Sequence, residues 1–174
     1  MLNGINMLLP IILDYLLPII LGYHLVIILG SSVIDLTRYN ISLKDFCSRF
    51  LPGNEVKRSK VLLYSASCGE AMSMRPFLNH GRNLLMVNTP TGYNLMRTQG
   101  VSNIILKPYD TLLTMLYLFY RVRPRLVIIA ECDFWPMFLL VAKIFGVKIH
   151  LINYSLKHPI RNAVHRSLTD RIYV

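Results

Sequence analysis

The sequence predicts an α/β domain built on a doubly wound parallel sheet and preceded by an N-terminal membrane anchor helix. Three observations carry this. From Val61 onward, short continuous apolar runs alternate with helix-length segments, the pattern of parallel strands covered on both faces. Each run ends in a polar cluster, and ligands in such sheets bind beyond the carboxyl ends of the strands. The stretch Met7 to Gly30 is almost continuously apolar and would span roughly 34 Å at ~1.5 Å per residue.

Residues 1–32 read as the anchor. Asp14 lies toward one end, where a charge costs less than the about 2.5–3.5 kcal/mol of the bilayer centre. Pro18 weakens a simple spanning helix. A cleaved signal peptide and a shallow re-entrant segment are the alternatives, but no Lys or Arg precedes the apolar run as a signal peptide requires. Arg38, Lys44, Arg49, Lys57, Arg58 and Lys60 follow it, so the positive-inside rule places the body of the protein in the cytoplasm.

Residues 33–60 form a basic juxtamembrane segment and linker. Within 42–51, Leu43, Phe46 and Phe50 share one side of a possible helix, which either lies on lipid or packs on the domain. Residues 51–60 have the Pro, Gly and charge of a linker.

Residues 61–174 form the Rossmann-like domain. Strands are expected over 61–67, 83–89, 103–106, 125–131 and 148–154, with a sixth beginning at Arg171. Helices are expected from Gly69 to about Asn79, over 111–123 and over 135–146. Helix 111–120 is apolar nearly all round but too short to span a bilayer. It is either a buried helix or one with a face resting on lipid or another domain.

A formal net charge of +10 points to an anionic partner, nucleic acid or a membrane surface. No RNP-like motif, zinc finger or recognition helix appears, so no nucleic acid is expected and the membrane is favoured. Cys47, Cys68 and Cys132 form no CxxC pair, and the histidines show no HExxH spacing. No metal, cofactor or disulfide framework is therefore expected, and a reducing compartment is the default. The absence of GxGxxG after the first strand, and of GxxxxGK[ST] anywhere, argues against dinucleotide and P-loop chemistry.

The polar clusters each admit two readings. Glu70, in "SCGE", is either a carboxylate capping the first helix or a catalytic base, which the helix dipole would help keep ionised. Ser67 and Gly69 flank it, and glycine there permits close approach of another molecule. "NTPTG", with Thr89, Thr91 and Gly92, is either a capped loop or a small anion site at a helix start. In "AECDFWP", Glu131 and Asp133 either pair with Arg75, Arg123 or Arg125 or act as a catalytic pair, and Asp133 is also a candidate cap for the helix begun by Pro136. Trp135 stands beside them. Asn153 closes the next strand, and "PYD" at 108–110 falls on the same rim.

In order, "YSASCGE", "TPTG", "PYD", "RPRLVI", "ECDFWP" and "NYSL" resemble the motifs of the N-terminal half of the Kdo transferases, membrane-bound glycosyltransferases of lipopolysaccharide assembly. The resemblance implies the acceptor half of a GT-B enzyme that transfers Kdo from CMP-Kdo to the lipid A precursor at the inner (cytoplasmic) membrane, without a metal. It implies that Glu70 is the base and that Ser67, Gly69, Thr89, Thr91, Gly92, Glu131, Asp133, Trp135 and Asn153 form the acceptor site. The sequence departs from the family pattern at Tyr64 (for histidine), Asp133 (for glutamate), Phe134 (for leucine) and Ser155 (for arginine). The family's donor domain is expected to be absent from this sequence, which stops at Val174 where the crossing to it should begin, so CMP-Kdo would bind only with that domain, the chain being either split from a partner polypeptide that carries it or cut short. The alternatives are a catalytically dead relic and a truncated, inactive module that is tethered to the membrane and binds anionic lipid.

Overall fold

The computed structural model describes residues 16–51, 53, 56–78, 82–131, 135–153 and 166–173. Helix α1 (Leu17–Thr37) carries Pro18 in its first turn, where a missing N–H breaks no helical bond. It runs past residue 32, the expected end of the anchor, because Asp35 finds a buried partner in the domain. Helix α2 (Leu43–Ser48) is capped by Ser42, whose side chain accepts from Asp45 N. Phe46 and Phe50 meet the Tyr109 ring edge-on at centroid distances of 6.5 and 5.0 Å. The 42–51 segment thus packs on the domain.

Strand β1 (Val61–Ser65) sends Leu62 and Tyr64 into one core and Leu63 into the other. Strand β2 (Leu84–Val87) repeats this, with Leu84 and Met86 on the first side and Leu85 and Val87 on the second. A strand covered on both faces has no solvent side on which to place polar residues, which explains the continuous apolar runs. With β3 (Ile104–Leu106), β4 (Leu126–Ala130), β5 (Lys148–Ile152) and β6 (Arg171–Ile172) they form an all-parallel sheet of order β3-β2-β1-β4-β5-β6.

Helices α3 (Cys68–Ser73) and α4 (Pro90–Thr98) cover one face through Ala71, Met74 and Met96. Helices α5 (Leu112–Val122) and α6 (Pro136–Ile144) cover the other through Met115, Leu118, Phe119, Phe138 and Leu139. This is the predicted doubly wound fold, and it is consistent with the N-terminal half of a GT-B enzyme. Strand order reverses between β1 and β4, and a crevice opens at such a reversal.

One helix differs from its expected form. The helix expected from Gly69 to Asn79 is α3 followed by a 3-10 turn over Arg75–Phe77. Pro76 has no N–H to return to the Met72 carbonyl, so the α pattern cannot continue; Asn79 lies outside the described residues. Helix α5 is the buried helix of the first reading on one side only. Its inner side is buried, while Leu113 and Tyr120 on the outer side are 78% and 60% exposed.

Candidate functional site

The β1–α3 turn holds Glu70 by reciprocal capping. The Ser67 hydroxyl accepts from Glu70 N at 3.3 Å and donates to Glu70 Oε1 at 2.9 Å. Ala66 N donates to Glu70 Oε2 at 2.6 Å. Two donors near the helix start are satisfied this way, as in a capping box, so the capping reading of Glu70 is correct. The same bonds fix the carboxylate's orientation at the strand-order reversal. Gly69 is exposed, and nothing lies within 4 Å of where its Cβ would stand.

The start of α4 lies against this turn. Thr89 caps it, accepting from Gly92 N at 3.4 Å, while Thr91 faces solvent. A Cβ on Gly92 would come to 2.9 Å from Val87 Cγ1 and 3.4 Å from Cys68 N. Glycine therefore lets the first turns of α3 and α4 sit side by side.

At the end of β4, Glu131 is exposed and left-handed (φ 60°), its N–H donating to Ile152 O at 2.9 Å. Asn153, ending β5, is likewise exposed and left-handed (φ 54°). Non-glycine residues adopt this conformation at a cost. The pairing expected between Glu131 and the nearby arginines does not occur. Arg75 donates to Gln99 Oε1 at 3.1 Å and Arg123 to Tyr120 O. Arg123 and Arg125 also precede β4 while Glu131 follows it, a separation of about 3.3 Å per intervening residue. Asp133, Cys132, Phe134 and Ser155 lie outside the described residues.

The capping of α6 comes from elsewhere in the chain. Trp135 is its N-cap residue and makes no capping bond; Met137 N and Phe138 N instead donate to the buried carboxylate of Asp110 at 3.0 and 2.9 Å. Asp110 also accepts from Tyr23 Oη of α1 at 2.6 Å, with Lys107 Nζ 3.8 Å away. Lys107 Nζ lies 3.9 Å from the Trp135 ring centroid, and the Trp135 indole donates to Tyr64 Oη at 2.5 Å.

A second buried pair joins α1 to the rim. Arg49 Nη2 donates to Asp35 Oδ1 at 2.9 Å, and Arg49 Nη1 to Lys107 O at 2.8 Å. Tyr109 Oη donates to Asp35 Oδ2 at 2.9 Å. Burial lowers the Arg49 pKa from its ordinary value, opposed chiefly by Asp35, and raises the Tyr109 hydroxyl to about 12.

These residues border a cleft of about 250 Å³ lined by Asp35, Arg49, Thr89, Lys107, Asp110 and Trp135 among others. Of the residues singled out in the polar clusters of the sequence, Thr89, Pro108, Tyr109, Asp110 and Trp135 reach it. Ser67, Gly69, Glu70 and Gly92 form the adjoining turn, and Glu131 and Asn153 stand farther along the rim. Sequence reasoning missed Asp35, Arg49 and Lys107. The available signal was a lone carboxylate at the end of an apolar helix, which must find a partner or face water. Among the described residues, no three metal-ligating side chains converge.

A family model, 3-deoxy-D-manno-octulosonic-acid transferase (kdotransferase), matches residues 44–166. The chain belongs to the Kdo transferase family. Membership establishes a glycosyltransferase-type domain. No curated protein matches the chain. Among solved structures, the GsuK RCK domain is similar at 14% identity and a TM-score of 0.47, covering 71% of this chain and 27% of that one. The chain thus spans about a quarter of that structure's length. In this Kdo transferase domain, the Tyr64 hydroxyl is engaged by Trp135.

Proposed function

We propose that this chain supplies the acceptor-binding, base-bearing half of an inverting transferase that moves Kdo from CMP-Kdo to the lipid A precursor. One observation carries the reading: the Glu70 carboxylate is held by Ala66 N and Ser67 Oγ beside the open side of Gly69, at the strand-order reversal. In the step, an acceptor hydroxyl oxygen bonds to the anomeric carbon of Kdo as its proton passes to Glu70. The bond from that carbon to the CMP phosphate oxygen breaks, and CMP leaves with the electron pair. Thr89, Thr91, Gly92, Glu131, Trp135 and Asn153 border the acceptor. The donor nucleotide belongs to a second domain.

The membrane is the other component. Helix α1 has a mean hydropathy of 2.1, and no residue of its most apolar 18-residue window is buried. That is long and apolar enough to cross a bilayer. Tyr23 to Asp35 is nevertheless held against the domain, roughly 18 Å of helix at ~1.5 Å per residue. The proposal therefore seats the domain at the cytoplasmic surface of the inner membrane, with the part of α1 before Tyr23 running deepest.

The test is Kdo transfer from CMP-Kdo to lipid A precursor by the 174-residue chain, with and without a donor domain added in trans. Transfer only with the added domain, lowered by about 10²–10⁴ in Glu70→Gln, is the expected result for loss of a general base. No transfer in either case would sink the reading and leave a tethered module that binds anionic lipid.

A further inference from the structure

The outer side of α5 and α6 is unusually apolar for a surface the core does not use. Leu113, Tyr117 and Tyr120 follow one another at helical spacing along α5, and Leu113 and Tyr120 are largely exposed. On α6, Leu140 and Ile144 are 44% and 62% exposed. Phe145, just past α6, closes the seam between the helices, its ring centroid 5.9 Å from that of Phe119.

The two ends of this stripe differ in chemistry. At the α1 end, Leu112 N donates to His24 Nε2 at 2.8 Å, so Leu113 continues the exposed apolar surface of Leu25, Val26 and Leu29. At the far end lies a pocket of about 250 Å³ lined by Val56, Arg58, Tyr120, Arg121 and Arg123. Three cations border it, and no carboxylate does among the described residues. Arg123 Cζ sits 5.4 Å from the Tyr120 ring centroid, and Arg121 Cζ 5.9 Å from that of Tyr117. The guanidinium groups thus lie beside the aromatic residues of the stripe.

We infer that this flank is a second membrane contact, separate from α1: the α5–α6 stripe rests in the interfacial layer of an anionic bilayer, and the arginine pocket receives a lipid phosphate. The inference rests on the reading that α1 enters the membrane and extends it to the domain. Apolar area alone would serve a protein partner equally well. An arginine cluster beside tyrosines, with no carboxylate among the described residues that line it, selects an anionic interface instead, where aromatic rings sit at headgroup level and arginine pairs with phosphate. A donor domain would meet the carboxyl edge of the sheet, whereas this stripe runs along the helical flank to the amino edge, where Ser59 N bonds Val122 O.

The experiment uses the full chain with Cys47, Cys68 and Cys132 replaced by serine and an environment-sensitive fluorophore at Leu113→Cys, Ile144→Cys, Arg97→Cys on the opposite flank, or Val26→Cys on α1. Vesicles are phosphatidylcholine alone or mixed with phosphatidylglycerol. Labels at 113 and 144 are expected to shift to the blue only on the anionic vesicles, and the label at 97 not at all. Replacing Arg58, Arg121 and Arg123 with glutamine should raise the concentration of anionic vesicles needed for half the shift, by about fivefold per arginine. If 113 and 144 stay aqueous while 26 is buried in lipid, the second contact is refuted and the α1 reading stands. If 26 also stays aqueous, both fail. A blue shift at 113 and 144 without vesicles would mark a protein interface and overturn the proposal. Hydrogen exchange of the unlabelled chain repeats the test without substitutions: vesicles should protect α5 and α6 but leave α4 unchanged.

Discussion

Arg49 Nη2 stands 2.9 Å from Asp35 Oδ1 with both side chains almost wholly buried, and this pair joins α1 to the rim of the cleft. Removing one partner of a buried pair strands the other charge, at about 3–5 kcal/mol, whereas replacing both with apolar residues is often neutral. Asp35→Ala should therefore lower unfolding stability by about that amount. Asp35→Leu combined with Arg49→Met should restore most of it. Chemical denaturation of the detergent-solubilised chain reads both, and a double variant as weak as the single one would refute the account.

Asp110 binds three elements together at one carboxylate: α1, the loop after β3 and the start of α6. Asp110→Ala should cost at least the about 0.5–2 kcal/mol of a lost cap. It should cost more in total, because Lys107 also loses its countercharge. Exchange of the Met137 and Phe138 amides should accelerate ahead of the sheet amides.

The two glycines of the candidate site should respond oppositely. Gly69 is helical with open space around it, so Gly69→Ala should stabilise the fold by about 0.5–1 kcal/mol. If an acceptor approaches there, the same change should reduce transfer in the complemented enzyme. Gly92→Ala should destabilise by about 1–3 kcal/mol, because its Cβ meets Val87 and the Cys68 backbone. Thermal melts alongside transfer assays separate the two effects.

Tyr109 gives an alkaline limit. Its folded pKa, raised to about 12 by burial and by donation to Asp35, exceeds the unfolded value of about 10. The stability this contributes is fully present below about pH 10 and is lost as pH rises toward 12. Tyr109→Phe should flatten that part of the pH–stability curve, and an unchanged slope would rule the tyrosine out.

Arg123 ends α5 with φ 53° just before Pro124, a conformation that costs a non-glycine residue about 1–2 kcal/mol. Arg123→Gly should raise thermal stability while weakening the response of the position-113 label to anionic vesicles. A gain in both would show that the arginine serves neither the surface nor the lipid.

The strands were readable because burial on both faces leaves an unambiguous mark, a continuous apolar run such as the "VLLY" that opens β1. Ser67, Glu70, Thr89 and Gly92 were also readable, since caps act within a few residues of the groups they satisfy. Asp35 and Arg49 were not. Each looked like an ordinary juxtamembrane charge, and only the approach of α1 to the rim gives them each other. Asp133, the local candidate for capping α6, lies outside the described residues, while two of the first amides of α6 find Asp110, 27 residues before Met137.

The sequence by itself determined the doubly wound sheet, the apolar helix α1 and the turn that presents Glu70, because each depends on periodicity or on neighbours along the chain. The tertiary structure decided which charges are buried together, which side of α5 stays exposed, and where the arginines of 58, 121 and 123 converge. Those outcomes depend on distances between segments far apart in sequence, and a hydrogen bond or ion pair forms only where the fold brings its two halves within about 3–4 Å.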